Sequence, residues 1–128
     1  MSSHTVLLVE DSDFITQHVS ETLQSEHEFE IETATSAAET RTALEESAFD
    51  CVVSTYELPD ETGIELAASI DDGEGTMPFV LFTGNPLEPL AEEAIEAGVT
   101  AFVSKSSRAT GDMNVFANRI RLAIAACD

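Results

Sequence analysis

The stretch D-C-V-V-S-T-Y-E-L-P-D-E-T-G, from Asp50 to Gly63, decides the fold. Cys51, Val52 and Val53 make an apolar run with β-branched residues, too short for a helix and suited to a strand buried on both faces of a parallel sheet. Polar groups then arrive abruptly with Ser54, Thr55, Tyr56 and Glu57. Leu58-Pro59-Asp60 signals a turn, because proline fixes its own φ and biases Leu58 away from the helical region. Thr62 and Glu65 stand at capping-box spacing, with Glu65 reaching back to the cap, so a helix begins there. A buried strand with a polar tip that loops into a helix is where open α/β sheets put their sites.

The same grammar repeats on either side. Val6 to Val9 is a continuous apolar run that ends in Glu10-Asp11-Ser12-Asp13, and a helix follows with Ile15, Val19 and Leu23 on one face. Phe29 to Ala34 alternates, which suits a strand near the sheet edge. Ser36 and Glu39 form a second capping box, opening a helix through about Glu46. After the central strand, a helix runs from Gly63 to about Ile70. Pro78 to Phe82 is the fourth strand, ending at Thr83-Gly84. Asn85-Pro86-Leu87-Glu88 starts a helix that Gly98 closes as a left-handed cap. Val99 to Val103 is the fifth strand, ending in Ser104-Lys105, and the last helix spans about Asp112 to Ala126. Five strands alternating with five helices predict a parallel sheet covered on both faces, in one domain over residues 1–128.

Composition narrows the function. In 128 residues, 25 acidic side chains oppose 5 basic ones, a formal net charge of -20. That field repels nucleic acid and anionic membranes, and it reads as the solvated acidic surface of a halophilic protein. Cys51 and Cys127 make no C-x-x-C pair, and Cys51 lies in a core strand, so a reducing cytoplasmic setting is expected. The first ten residues do not have the pattern of a signal peptide, and no apolar stretch reaches transmembrane length. His4, His18 and His27 lack metal-ligand spacing and read as surface residues.

In a parallel sheet all strand tips share one edge, which brings together Glu10 and Asp11, Thr55, Thr83 and Lys105. Lys105 is the only lysine of the chain. A composition that discards every other lysine but keeps one at a strand tip argues for a specific role.

On V-L-L-V-E-D-S, V-V-S-T-Y-E-L-P-D-E-T-G, F-V-L-F-T-G and A-F-V-S-K, taken in this order, the chain resembles the receiver domains of two-component response regulators over essentially its whole length. The resemblance implies a flavodoxin-like (βα)5 three-layer sandwich with strand order 2-1-3-4-5. It implies a Mg²⁺ site at Glu10 and Asp11, a phosphoryl contact at Thr83, a lysine contact at Lys105 and an aromatic switch at Phe102. It further implies protein partners, a histidine kinase or an output protein, on the face of the fourth helix, fifth strand and fifth helix; a homodimer is a separate expectation.

The family's phospho-accepting aspartate is missing. It sits four residues before the loop proline, and counting back from Pro59 lands on Thr55. A threonine hydroxyl is not ionised at neutral pH and is no nucleophile without a base. Its presence also removes an anionic oxygen from the metal shell, leaving a weak magnesium site. Glu57 reads as an exposed loop acid, or as a carboxylate or backbone group that partly replaces the lost charge. Phe102 reads equally as a core aromatic and as the switch. After Lys105 the family's usual proline is replaced by Ser106.

Three functions remain. The one expected is a degenerate receiver, a non-enzymatic interaction module that works without phosphorylation. The second is a Mg²⁺-dependent phosphoryl acceptor using Thr55 or a neighbour. The third, an unrelated flavodoxin-like binder of nucleotide or flavin, lacks both G-x-G-x-x-G and a P-loop.

Overall fold

The computed structural model describes residues 4–26, 29–70, 77–83, 88–104 and 113–126. Along the chain run β1 (Thr5–Val9), α1 (Asp13–Glu26), β2 (Glu30–Ala34), α2 (Ala37–Glu46), β3 (Cys51–Thr55) and α3 (Gly63–Ile70). They are followed by β4 (Phe79–Thr83), α4 (Glu88–Glu96), β5 (Ala101–Ser104) and α5 (Met113–Ala126). All four strand pairings are parallel, in the order β2-β1-β3-β4-β5. This is the flavodoxin-like sandwich, with the strand order, that the family resemblance implies.

Burial explains the strand sequences. All five residues of β3 are buried, and Val6 to Val9 of β1 are too. Side chains alternate across the sheet, so each strand feeds two cores. Val6, Leu8, Cys51, Val53, Val80 and Phe82 meet Val19 and Leu23 of α1 and Ala117, Ile120 and Ile124 of α5. Leu7, Val9, Val52, Phe79 and Leu81 meet Ala37 of α2, Ile64, Leu66 and Ala67 of α3 and Ala94 of α4. Each fully buried Leu, Val or Phe contributes about 1.5–3 kcal/mol. β2 lies at an edge and is buried only at Ala34, as its alternating sequence predicts.

The amino ends of β1 and β3 are tied by a reciprocal pair. The Thr5 N–H donates to Asp50 Oδ2 at 2.8 Å, and the Asp50 N–H donates to the Thr5 carbonyl at 2.8 Å. Gly98 ends α4 with φ 95°, the left-handed conformation expected of it. The fifth strand is shorter than its apolar run suggests. Val99 and Thr100 are taken up in the turn, where Val99 N–H donates to the Ala94 carbonyl and Thr100 N–H to the Phe79 carbonyl, so the ladder begins at Ala101.

Among the described residues, no helix is long and apolar enough to cross a membrane.

Candidate functional site: the carboxyl edge of the central strands

Parallel registration sets the site. Val9 pairs with Ser54, which puts Glu10 level with Thr55 on the neighbouring strand. Thr55 in turn pairs with Phe82, one residue before Thr83. With adjacent strands about 4.8 Å apart, Glu10, Thr55 and the end of β4 lie within roughly 10 Å of one another along the edge. Thr83 pairs with Ser104, the last described residue of β5. Lys105 follows Ser104 in the chain but lies outside the described residues, as do Ser106 and His27. For Thr83 and Phe102 the backbone position is fixed, Phe102 pairing with Leu81 in the middle of the β4–β5 ladder.

Burial separates the acids. Glu10 is 1% exposed and Thr55 likewise 1%, whereas Asp11 and Glu57 are exposed. Glu10 is built into the scaffold through its backbone: its N–H donates to the Ala34 carbonyl at 3.0 Å, and its own carbonyl accepts the Thr16 hydroxyl at 3.3 Å. Glu57 lies exposed in the loop after β3. Its backbone bridges antiparallel to Thr62 across the loop.

That loop is closely braced. Gly63 N–H donates to the Tyr56 carbonyl at 2.7 Å, drawing the start of α3 onto the strand tip. Thr62 and Glu65 cap each other as their spacing predicts: the Glu65 N–H donates to Thr62 Oγ1 at 3.1 Å, and the Thr62 N–H donates to Glu65 Oε1 at 2.9 Å. The second box is only half made. Ser36 Oγ accepts the Glu39 N–H at 3.1 Å, but Glu39 turns to Thr35, accepting its N–H at 2.7 Å and its hydroxyl at 2.8 Å. Both bonds to Thr35 hold the Glu39 carboxyl below the usual carboxylate range.

The sequence reading did not single out Asp60 or Arg41. Asp60, a turn residue by sequence, accepts the N–H groups of Ala37 and Ala38 with its two carboxylate oxygens, each at 3.0 Å. It thus caps α2 from a loop 23 residues away, and the Ala37 bond is the main cause that holds its carboxyl below the usual aspartate range. Arg41, one turn into α2, forms an ion pair with Glu61 and donates through Nε and Nη2 to Ser69 Oγ at 3.2 and 2.9 Å. The available signal was Asp after Pro in a turn, which favours a cap but does not name the helix capped.

Comparison with known proteins places this geometry. The family model described as "Response regulator receiver domain" matches residues 6–113. The transcriptional regulatory protein FixJ of Bradyrhizobium diazoefficiens is 36% identical over 63 residues, 49% of this chain and 31% of that protein. FixJ of Rhizobium meliloti is 33% identical over 54 residues, 42% of this chain and 26% of that protein. The chain therefore spans less than a third of the curated relatives it matches. A LuxR-family two-component response regulator from Aurantimonas sp. SI85-9A1 superposes with TM-score 0.86 at 25% identity, covering 98% of this chain and 87% of that one. The chemotaxis response regulator CheY4 of Vibrio cholerae superposes with TM-score 0.82 at 26% identity, covering 93% and 99%.

Receiver domains typically bind Mg²⁺ at the phosphorylation site, and here Glu10, Asp11 and the backbone at Glu57 would have to hold it. Magnesium wants near-octahedral oxygen ligands and several anionic charges beside a phosphoryl group. Thr55, buried at the tip of β3 and level with Glu10, offers a neutral hydroxyl and no carboxylate. Among the described residues, no three His, Cys, Asp or Glu side chains cluster closely enough for a metal.

Proposed function

The chain belongs to the response regulator receiver domain family, and from that premise we propose that it is a degenerate receiver, a signalling and protein-interaction module that takes no phosphate on aspartate. One observation carries the reading: the acceptor-equivalent position, four residues before Pro59, is Thr55, buried at the tip of β3 and level with Glu10. Phosphoryl transfer needs an activated nucleophile, and a threonine hydroxyl requires a base to become one. Glu10 and Asp11 then hold Mg²⁺ only weakly. Thr83, Phe102 and Lys105 keep family positions in the sequence without an acyl phosphate to answer to.

In this reading residues 1–128 act as one receiver domain in the cytoplasm, with no catalysis of its own. Signal passes through protein contact on the α4–β5–α5 face. Two of the exposed large apolar side chains, Ile95 at 68% and Leu122 at 66%, lie on α4 and α5 and support that choice. The partner is a kinase-like or output protein, or a second copy of the chain. The net charge of -20 favours a protein over nucleic acid.

The test treats the protein and Thr55→Asp with Mg²⁺ and either acetyl phosphate or beryllofluoride, reading intact mass and the amide resonances of Thr83 and Lys105. The parent is expected to gain no phosphoryl group and show no shifts, and Thr55→Asp to show both. Stoichiometric phosphorylation of the parent would overturn the proposal. A base-stable ester would then point to a hydroxyl acceptor such as Thr55.

A further inference from the structure

The edge of the sheet opposite the site carries a groove that the receiver reading leaves without a role. It lies between the carboxyl-terminal ends of α2 and α3, under the amino ends of β3 and β4, and its volume is ≈ 500 Å³. That falls within the ~300–1,000 Å³ usual for sites that take an organic side chain or ligand. It is separated from Thr55 by the length of β3, about 17 Å. Its apolar wall is formed by Leu44, Phe49, Ile70 and Met77. All four are only partly buried and pack against the core from outside. The groove is open along the surface and polar at its rim.

Charge selects the occupant. Arg41 is the basic residue of the lining, and its charge is already met by Glu61. Glu45, also in the lining, and Glu46 beside it are both exposed in the last turn of α2, and neither has an ion pair among the described residues. That last turn contains no basic residue to offset the partial negative charge of the helix end. Two carboxylates and a helix carboxyl terminus therefore face outward beside an apolar slot, on a chain of net charge -20. An anionic ligand would meet repulsion there from Glu45 and Glu46 and from the carboxyl end of α2.

We infer that this groove is a docking site for a protein partner that inserts one apolar side chain flanked by lysine or arginine. The apolar residue packs against Leu44, Phe49, Ile70 and Met77, and the flanking cations lie over Glu45 and Glu46. The surface is distinct from the α4–β5–α5 face and does not depend on whether position 55 accepts phosphate.

The test uses the whole isotope-labelled chain at about 0.1 M salt, where exposed charges still act over roughly 10 Å. The probe is a mixture of capped pentapeptides with Lys or Arg at both ends and Leu, Phe or Met at the centre. A matched mixture carries Glu or Asp at the ends. The basic mixture is expected to shift the amides of Leu44, Ser47, Phe49, Ile70 and Met77, and the acidic mixture to leave them in place. The Glu45→Lys/Glu46→Lys double variant should weaken the basic mixture about tenfold. Ala48→Trp, which fills the groove from an exposed position, should abolish the shifts while the remaining spectrum stays folded. Absence of shifts with the basic mixture, equal shifts with the acidic one, or shifts that survive Ala48→Trp would overturn the inference. So would octanoate shifting these amides when the basic mixture does not, which would make the groove a site for an anionic amphiphile.

Discussion

Gly63, the first residue of α3, rests directly on the backbone carbonyl of Thr55, the last residue of β3. A Cβ at position 63 would overlap that oxygen and come within 2.8 Å of Leu81 Cδ1. The Gly63 N–H is bound to Tyr56, so the helix start cannot retreat from the strand. The obstacle is backbone and cannot swing aside. Gly63→Ala is therefore expected to cost about 1–3 kcal/mol, the usual range for overpacking a tight site. Urea unfolding at constant salt would read it, and an unchanged midpoint would mean that the loop yields freely.

Asp60 makes the stability of α2 sensitive to acid. Its carboxyl is held below the ordinary value chiefly by the Ala37 N–H, then by the Ala38 N–H, with Arg41 adding a favourable charge. Glu39 is lowered by Thr35 in the same way. A depressed folded-state value means stability that is present at neutral pH and lost as pH falls through that lowered value. Asp60→Asn keeps one acceptor oxygen and removes the charge. It should be less stable than the parent at pH 7, with the gap closing in acid below the ordinary aspartate range. A gap that stays constant with pH would show that the carboxylate charge plays no part.

Arg41 uses its fork to hold α2 to both the tip loop and α3, through Glu61 and Ser69. Lysine offers one point charge in its place. Arg41→Lys is expected to cost about 0.5–1 kcal/mol, at the upper end for partly exposed pairs. A double-mutant cycle with Ser69→Ala would show a coupling if the bridge is made in solution. Strict additivity would contradict it.

The acidic surface predicts a strong response to salt. Self-repulsion in a chain of net charge -20 weakens as ions screen it. The melting temperature should rise steadily between about 0.1 M and about 2 M KCl, most steeply at the low end where the Debye length shrinks from roughly 10 Å. A flat profile would mean that the acids are spread too widely to repel.

Much of this was legible in the chain because burial writes itself in apolar runs. Val6 to Val9 and Cys51 to Val53 gave two of the three inner strands, and Gly98 gave its left-handed cap. The Thr62–Glu65 box is local chemistry over three residues, and it formed as read. What escaped was set by tertiary partners. Glu39 had the spacing to cap Ser36, yet a competing donor pair on Thr35 lay within reach. Val99 looked like strand, but its N–H is spent on the Ala94 carbonyl at the end of α4, and the paired strand begins only at Ala101. The reach of Asp60 to α2 depends on how the tip loop folds over the sheet, which no spacing within that loop encodes. At the site, the level positions of Glu10 and Thr55 followed from parallel alternation alone. Their similar burial, and the exposure of Asp11, did not.

The two cores of the sandwich reverse the ordinary meaning of neighbour. Val52 and Val53 are joined by a peptide bond, yet they belong to different packed layers on opposite faces of the sheet. Val53 shares its layer with Ile120, 67 positions on, and Val52 shares its own with Leu66. Replacements in one layer can therefore be combined with replacements in the other as nearly independent choices, whereas compensating changes must be sought across the fold and within one layer. For anyone rebuilding this protein, the unit of design is the face of the sheet and not the stretch of chain.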